Sequence, residues 1–90
     1  MQEHIFYNLV YLELAACRLT SFPPNFSNLV PNVRALNLNY NFLETDAVCH
    51  GLSGLRRLRK LTVVGGRMAS TKGLLKMLQS MPELEMIDFR

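Results

Sequence analysis

Apolar residues recur in this chain at two periods. In four places an apolar pair straddles one polar or small residue: Leu12/Leu14, Leu36/Leu38, Leu61/Val63 and Ile87/Phe89. Period two puts both members of a pair on one face of a short strand. The surrounding apolar positions repeat as well, in registers over residues 9–19, 33–43 and 58–68, and a fourth register opens at Leu84 and runs to Arg90. The equivalent positions Leu12, Leu36, Leu61 and Ile87 lie 24, 25 and 26 residues apart. A strand that recurs at this interval must be carried back to its starting level by a return segment, so the strands are expected to run parallel. Leu9, Leu19, Leu43 and Leu58 are then expected to close the interior.

The interval and the pattern L-x-x-L-x-L-x-x-N/C-x-L match leucine-rich repeats. The expected fold class is therefore α/β, a leucine-rich-repeat solenoid in the form of a partial horseshoe. Short parallel strands would line its concave face, with helical or irregular convex segments behind. The chain reads as a single region, 1–90, with repeats at about 9–32, 33–57 and 58–83 and a truncated fourth at 84–90. A fragment of a larger protein is expected, because solenoid ends need polar caps and none is visible here. The ninth slot, normally Asn or Cys, holds Cys17, Asn41 and Gly66, which predicts a weak ladder and a looser third turn.

The return segments differ. Pro23-Pro24 forbids a regular helix across that pair, so an extended stretch followed by one short turn is expected. Asp46 ahead of Ala47-Val48-Cys49-His50 and Gly51 reads as a capped, single-turn helix ended by glycine. The third return carries the best helical pattern. Ser70 or Thr71 could cap it, Leu74, Leu75, Leu78 and Met81 would face inward, and Lys72, Lys76 and Gln79 outward, with Pro82 as the stop.

At 49% hydrophobic and 19% charged residues the chain can build a core, which separates it from disordered sequences. No run of 18 apolar residues occurs, so no membrane span is expected. Met1-Gln2-Glu3-His4 places no basic residue ahead of an apolar stretch, and with only two cysteines this favours a reducing, cytoplasmic setting. Cys17 and Cys49 with His4 and His50 lack the paired ligand spacing of a zinc site, so no metal and no cofactor is predicted. A Cys/His catalytic pair fails because the register would bury Cys17. Gly65-Gly66 lacks the Lys-Ser/Thr that a phosphate loop needs. The chain is not read as an enzyme and no small-molecule substrate is implied.

Two surfaces are candidates for partner binding. Residues between the strand leucines should stack into columns on the concave face: Tyr11, Ala35, Lys60 and Met86; then Glu13, Asn37, Thr62 and Asp88; then Ala15, Asn39, Val64 and Arg90, with Tyr40 one step beyond. Tyr11, Glu13, Asn37, Asn39, Tyr40, Lys60 and Thr62 are the candidate protein-binding residues, with tyrosine as the anchor type. Arg56, Arg57, Arg59 and Lys60 form a basic cluster. Leucines interleave it every third residue, so the plainer reading is a solvated edge; an acidic protein segment is the next, and nucleic acid is not favoured. The net charge of +3 agrees with a weak preference for acidic partners.

Three stretches carry a narrower resemblance: 31–43, from Pro31-Asn32-Val33 to Phe42-Leu43; 51–61, Gly51-Leu52-Ser53-Gly54 to Lys60-Leu61; and 82–90, Pro82-Glu83-Leu84 to Phe89-Arg90. They resemble the repeat domain of the fungal septation-initiation (mitotic-exit) network scaffold of the spindle pole body. That resemblance implies a non-catalytic scaffold that recruits components of a small-GTPase and kinase cascade. The alternatives are an extracellular or pathogen-recognition repeat module, which would need a leader and disulfide caps, and an accessory repeat domain of a larger enzyme.

Overall fold

The computed structural model describes residues 4–67, the backbone of 72–74 and residues 75–89. Strands β1 (Tyr11–Glu13), β2 (Ala35–Asn37), β3 (Lys60–Val63) and β4 (Met86–Phe89) form one parallel sheet in sequence order. Helices α1 (Phe26–Leu29), α2 (Thr45–Leu52) and α3 (Lys72–Gln79) lie on the returns, α2 packed between the other two. The sheet register pairs Leu12 with Leu36, Leu36 with Leu61 and Leu61 with Ile87. These are the four positions that the apolar spacing aligns.

Each strand begins with the same backbone device. A turn closes just before it, with the amide of Leu9 donating to Phe6, Val33 to Val30, Leu58 to Leu55 and Leu84 to Met81. One carbonyl then accepts two successive amides from the next strand. Val10 accepts from Arg34 and Ala35, Arg34 from Arg59 and Lys60, and Arg59 from Glu85 and Met86, all at 2.7–3.1 Å.

The core lies between the sheet and the returns. Leu36, Leu61 and Val63 enter it from the strands, Leu38 from the residue after β2, Phe26, Val30, Val48, Leu52, Met77 and Met81 from the returns, and Val33, Leu43, Leu55 and Leu58 from the joints. Full burial of one such side chain is worth about 1.5–3 kcal/mol. Leu12 and Leu14 in the first unit, and Ile87 and Phe89 in the last, are only half-buried, as are Leu9 and Leu19. Each end strand has a described neighbour on one side only, so its apolar face is covered once rather than twice.

Several local expectations are corrected. Helix α2 makes two turns rather than one and runs through Gly51, with Glu44 at its N-cap and no side-chain capping bond. Gly51 does not end the helix; it lets a neighbouring unit approach, since a Cβ there would run into the Phe22 ring. Leu75, expected to point inward, is 65% exposed, and Met77 occupies the interior in its place. Leu78 is half-buried and Met81 buried, while Lys76 and Gln79 face out. The expected caps Ser70 and Thr71, the slots of Met68 and Arg90, and the side chains of Lys72 and Leu74 lie outside the described residues. Cys17, expected to be buried by its register, is exposed; its Sγ donates only to the nearby Ala15 carbonyl at 3.4 Å.

Among the described residues of the ninth slot, Asn41 is the one that places a side-chain amide in the interior. Its side chain is 1% exposed, its Oδ1 accepts the amides of Cys17 (2.9 Å) and Leu19 (3.0 Å), and its Nδ2 donates to the carbonyls of Leu14 (2.9 Å) and Leu38 (3.0 Å). Among the described residues no buried side-chain polar atom lacks a partner. Cys17, in the same slot of the first unit, therefore takes its satisfaction from the second.

Candidate functional site

The strand side chains that point away from the core are set by the pleat and by register. Tyr11 stands beside Ala35, Ala35 beside Lys60, and Lys60 beside Met86; Glu13, Asn37, Thr62 and Asp88 form the next row. Between these rows lies a recess of about 180 Å³, lined by Tyr11, Ala35, Leu36, Asn37, Asn39, Lys60 and Thr62. Five of the seven candidate binding residues therefore meet at one place, and Glu13 and Tyr40 lie outside its lining.

The hydrogen bonds of this recess are asymmetric. Asn37 Oδ1 accepts the Asn39 amide at 3.0 Å and the Thr62 hydroxyl at 3.3 Å. Asn39 Oδ1 accepts the Val64 amide at 2.8 Å. Backbone N–H donors fix which end of each amide faces inward. With both side-chain oxygens used to bind strand to strand, the two asparagines offer a partner their N–H groups.

Tyr40 lies beyond the recess, three residues after the end of β2. Its backbone is left-handed, at φ 61°, as are those of Ala16 (54°) and Gly65 (75°) in the equivalent slots. Its amide donates to the Val64 carbonyl at 2.7 Å, and its ring lies against Gly65, where a Cβ would sit 2.8 Å from Cδ1. A bulky residue rarely adopts this conformation, which costs about 1–2 kcal/mol. Tyr40 is nonetheless 64% exposed and Tyr11 58%. Phe42 is also exposed, with the Arg67 guanidinium 5.0 Å above its ring.

The basic cluster divides. Lys60 lies on the strand face, whereas Arg59 turns to the rim, where its Nη2 donates to both Glu85 oxygens, at 2.8 and 2.9 Å. That hydrogen bond, and the Glu85 charge with it, pushes the Arg59 pKa up. Arg56 and Arg57 are exposed in the turn before β3. A second recess, about 410 Å³, brings Arg57 and Arg59 together with Arg34, Pro82, Glu83, Leu84 and Glu85. Arg34 was not singled out by the sequence, because it stands alone between Val33 and Ala35. The signal was available in the register, which puts Val10, Arg34, Arg59 and Glu85 in one slot.

On the return side, α2 and α3 border a recess of about 410 Å³ lined by Cys49, His50, Ser53, Lys76, Met77 and Ser80. Burial, with a smaller effect of Asp46, pushes the Cys49 thiol up and away from the reactive thiolate form. Among the described residues no three His, Cys, Asp or Glu side chains converge as metal ligands, and no helix is long and apolar enough to cross a membrane.

No protein-family model matches the chain. It is similar to the septation initiation network scaffold protein cdc11 of Schizosaccharomyces pombe, with 30% identity over 88 residues, which is 98% of this chain. The chain spans about 8% of the length of that relative.

Proposed function

We propose that the chain is part of a leucine-rich-repeat solenoid and serves, without catalysis, as a protein-docking module of a septation-type signalling scaffold. The observation that carries this reading is the register of the four parallel strands. It stacks Tyr11, Asn37, Asn39, Lys60 and Thr62 around one recess on the face turned away from the core. Side-by-side strands with a packed return behind each are what a repeat of this period needs to bury its apolar side. An exposed tyrosine at the recess and another beside it suit the anchor role that aromatic residues play in protein contacts. Similarity to a septation scaffold supports the same role.

On this reading the region is one segment of a longer repeat array, and the half-covered units at 9–19 and 84–89 stack on further repeats. Its partners are proteins of a small-GTPase and kinase cascade, met in the cytoplasm with the spindle pole body as the expected seat. The test is affinity capture with the full chain from an extract of its source organism. Replacing Tyr11 and Tyr40 together by alanine should abolish capture of such components while the circular dichroism spectrum is kept. Replacing Lys76 and Gln79 on the return side should leave capture intact. The reverse pattern would overturn the docking face.

A further inference from the structure

We propose that this face and its rim take an acidic, extended segment of the partner, whose carboxylates lie along the line from Arg34 and Arg57 to Lys60. The inference rests on the docking reading above and names the chemistry of what docks.

Three features of the surface converge on it. The rim recess holds three guanidinium groups, of Arg34, Arg57 and Arg59, against the two carboxylates of Glu83 and Glu85. Arg59 and Glu85 pair their charges and Glu83 offsets one of the remaining two guanidinium groups, so the recess keeps one net positive charge, with Arg34 and Arg57 both exposed. Lys60 continues that charge onto the strand face, because Ala35, its register partner, directly follows Arg34. Beyond Lys60 the recess floor is rich in donors. The Asn37 and Asn39 oxygens are engaged within the sheet, which leaves their N–H groups for a ligand with acceptor atoms.

A carboxylate fits all of these sites. It is acceptor-only when ionised, takes two-pronged bonds from arginine and single bonds from amide N–H groups. An extended chain rises about 3.3 Å per residue, so alternate side chains fall on the same face and can meet successive sites. The side chains of a basic segment are donors only, so its carbonyls alone could accept here, and its charge would be repelled by Arg34, Arg57 and Lys60. Glu13 and Asp88 bound the middle row at its two ends, which limits the acidic stretch to the line through Lys60.

The experiment uses the full chain and two labelled peptides, one alternating glutamate with serine and one with glutamine in place of glutamate, read by fluorescence anisotropy. The glutamate peptide should bind, and the glutamine peptide about tenfold or more weakly. Changing Arg34, Arg57 and Lys60 together to glutamine should weaken the glutamate peptide by about tenfold, in keeping with three exposed charges each of modest worth. Binding should also weaken as salt rises. Glu85→Gln should act in the opposite direction and tighten it several-fold, since it frees the Arg59 charge from its partner and removes a like charge. Loss of fold cannot produce that gain.

Equal affinity for the two peptides would overturn the proposal. So would no binding of the glutamate peptide up to about millimolar concentration, or a duplex oligonucleotide that competes more tightly for the same residues. The two readings fail separately. Capture that survives the triple glutamine variant but not the paired tyrosine variant sinks the acidic chemistry alone; capture that survives the tyrosine variant sinks the docking face.

Discussion

Asn41 binds Leu19 through its side chain: the buried Oδ1 accepts the Leu19 amide at 3.0 Å, so one amide group in the second unit holds the bend of the first. The same oxygen accepts the Cys17 amide, and Nδ2 donates to the carbonyls of Leu14 and Leu38. Asn41→Leu keeps the branched shape of the side chain and removes every one of these bonds. The expected cost is about 1–3 kcal/mol, the range for a buried polar group left unsatisfied, since of these bonds that to Leu38 is the fully buried one. Urea denaturation of the two proteins checks it. A change below about 0.5 kcal/mol would mean that water replaces the amide at this bend.

Leucines that look alike in the sequence should separate by burial. Leu38 is fully buried, so Leu38→Ala should cost about 2–5 kcal/mol. Leu75 is mostly exposed, so Leu75→Ala should stay within about 0.5 kcal/mol. Thermal melts of the pair decide whether the outward orientation of Leu75 is right.

Gly51 and Phe22 should couple. Alanine is favoured over glycine by about 1 kcal/mol in a helix interior and by less in the last turn, where Gly51 lies, yet a Cβ at position 51 would collide with the Phe22 ring. Gly51→Ala is therefore expected to destabilise the native chain and to stabilise one that already carries Phe22→Ala. A double-mutant cycle by chemical denaturation measures the sign change.

The two thiols should differ in reactivity. Cys17 is exposed, and burial together with Asp46 raises the Cys49 pKa. A raised pKa keeps the thiol protonated to higher pH, so Cys49 should gain reactivity later as pH rises. A disulfide reagent at mildly alkaline pH should label Cys17 first. Asp46→Asn removes the smaller of the two causes and should speed labelling of Cys49 modestly, as peptide mass mapping would show.

The rungs of the sheet were legible because they depend on the crudest feature of the chain, apolar residues two apart at a near-constant interval. Leu12, Leu36, Leu61 and Ile87 could be aligned without knowing how the returns fold. The recess followed from that alignment, since the pleat alone decides that Tyr11, Lys60 and Thr62 point away from Leu36 and Leu61. What was not legible depended on packing between units. Leu75 and Met77 both suit a helix face, and only the position of α2 decides which is buried. Gly51 looked like a helix stop because its role is set by a ring 29 positions earlier in the chain. Cys17 was misplaced because the slot was assigned to a type of residue, whereas Asn41 in the neighbouring slot does the bonding for both. The split of the basic cluster was hidden for a similar reason: Glu85, which claims Arg59, is distant in sequence and adjacent only through register.

The left-handed bend at Tyr40 sets two kinds of selection against each other. Glycine or asparagine would hold that backbone with less strain, so a laboratory search for heat-tolerant variants should enrich both at position 40. The survivors would lose the most exposed tyrosine beside the recess, and hardier descendants of this chain should grip their partner less well.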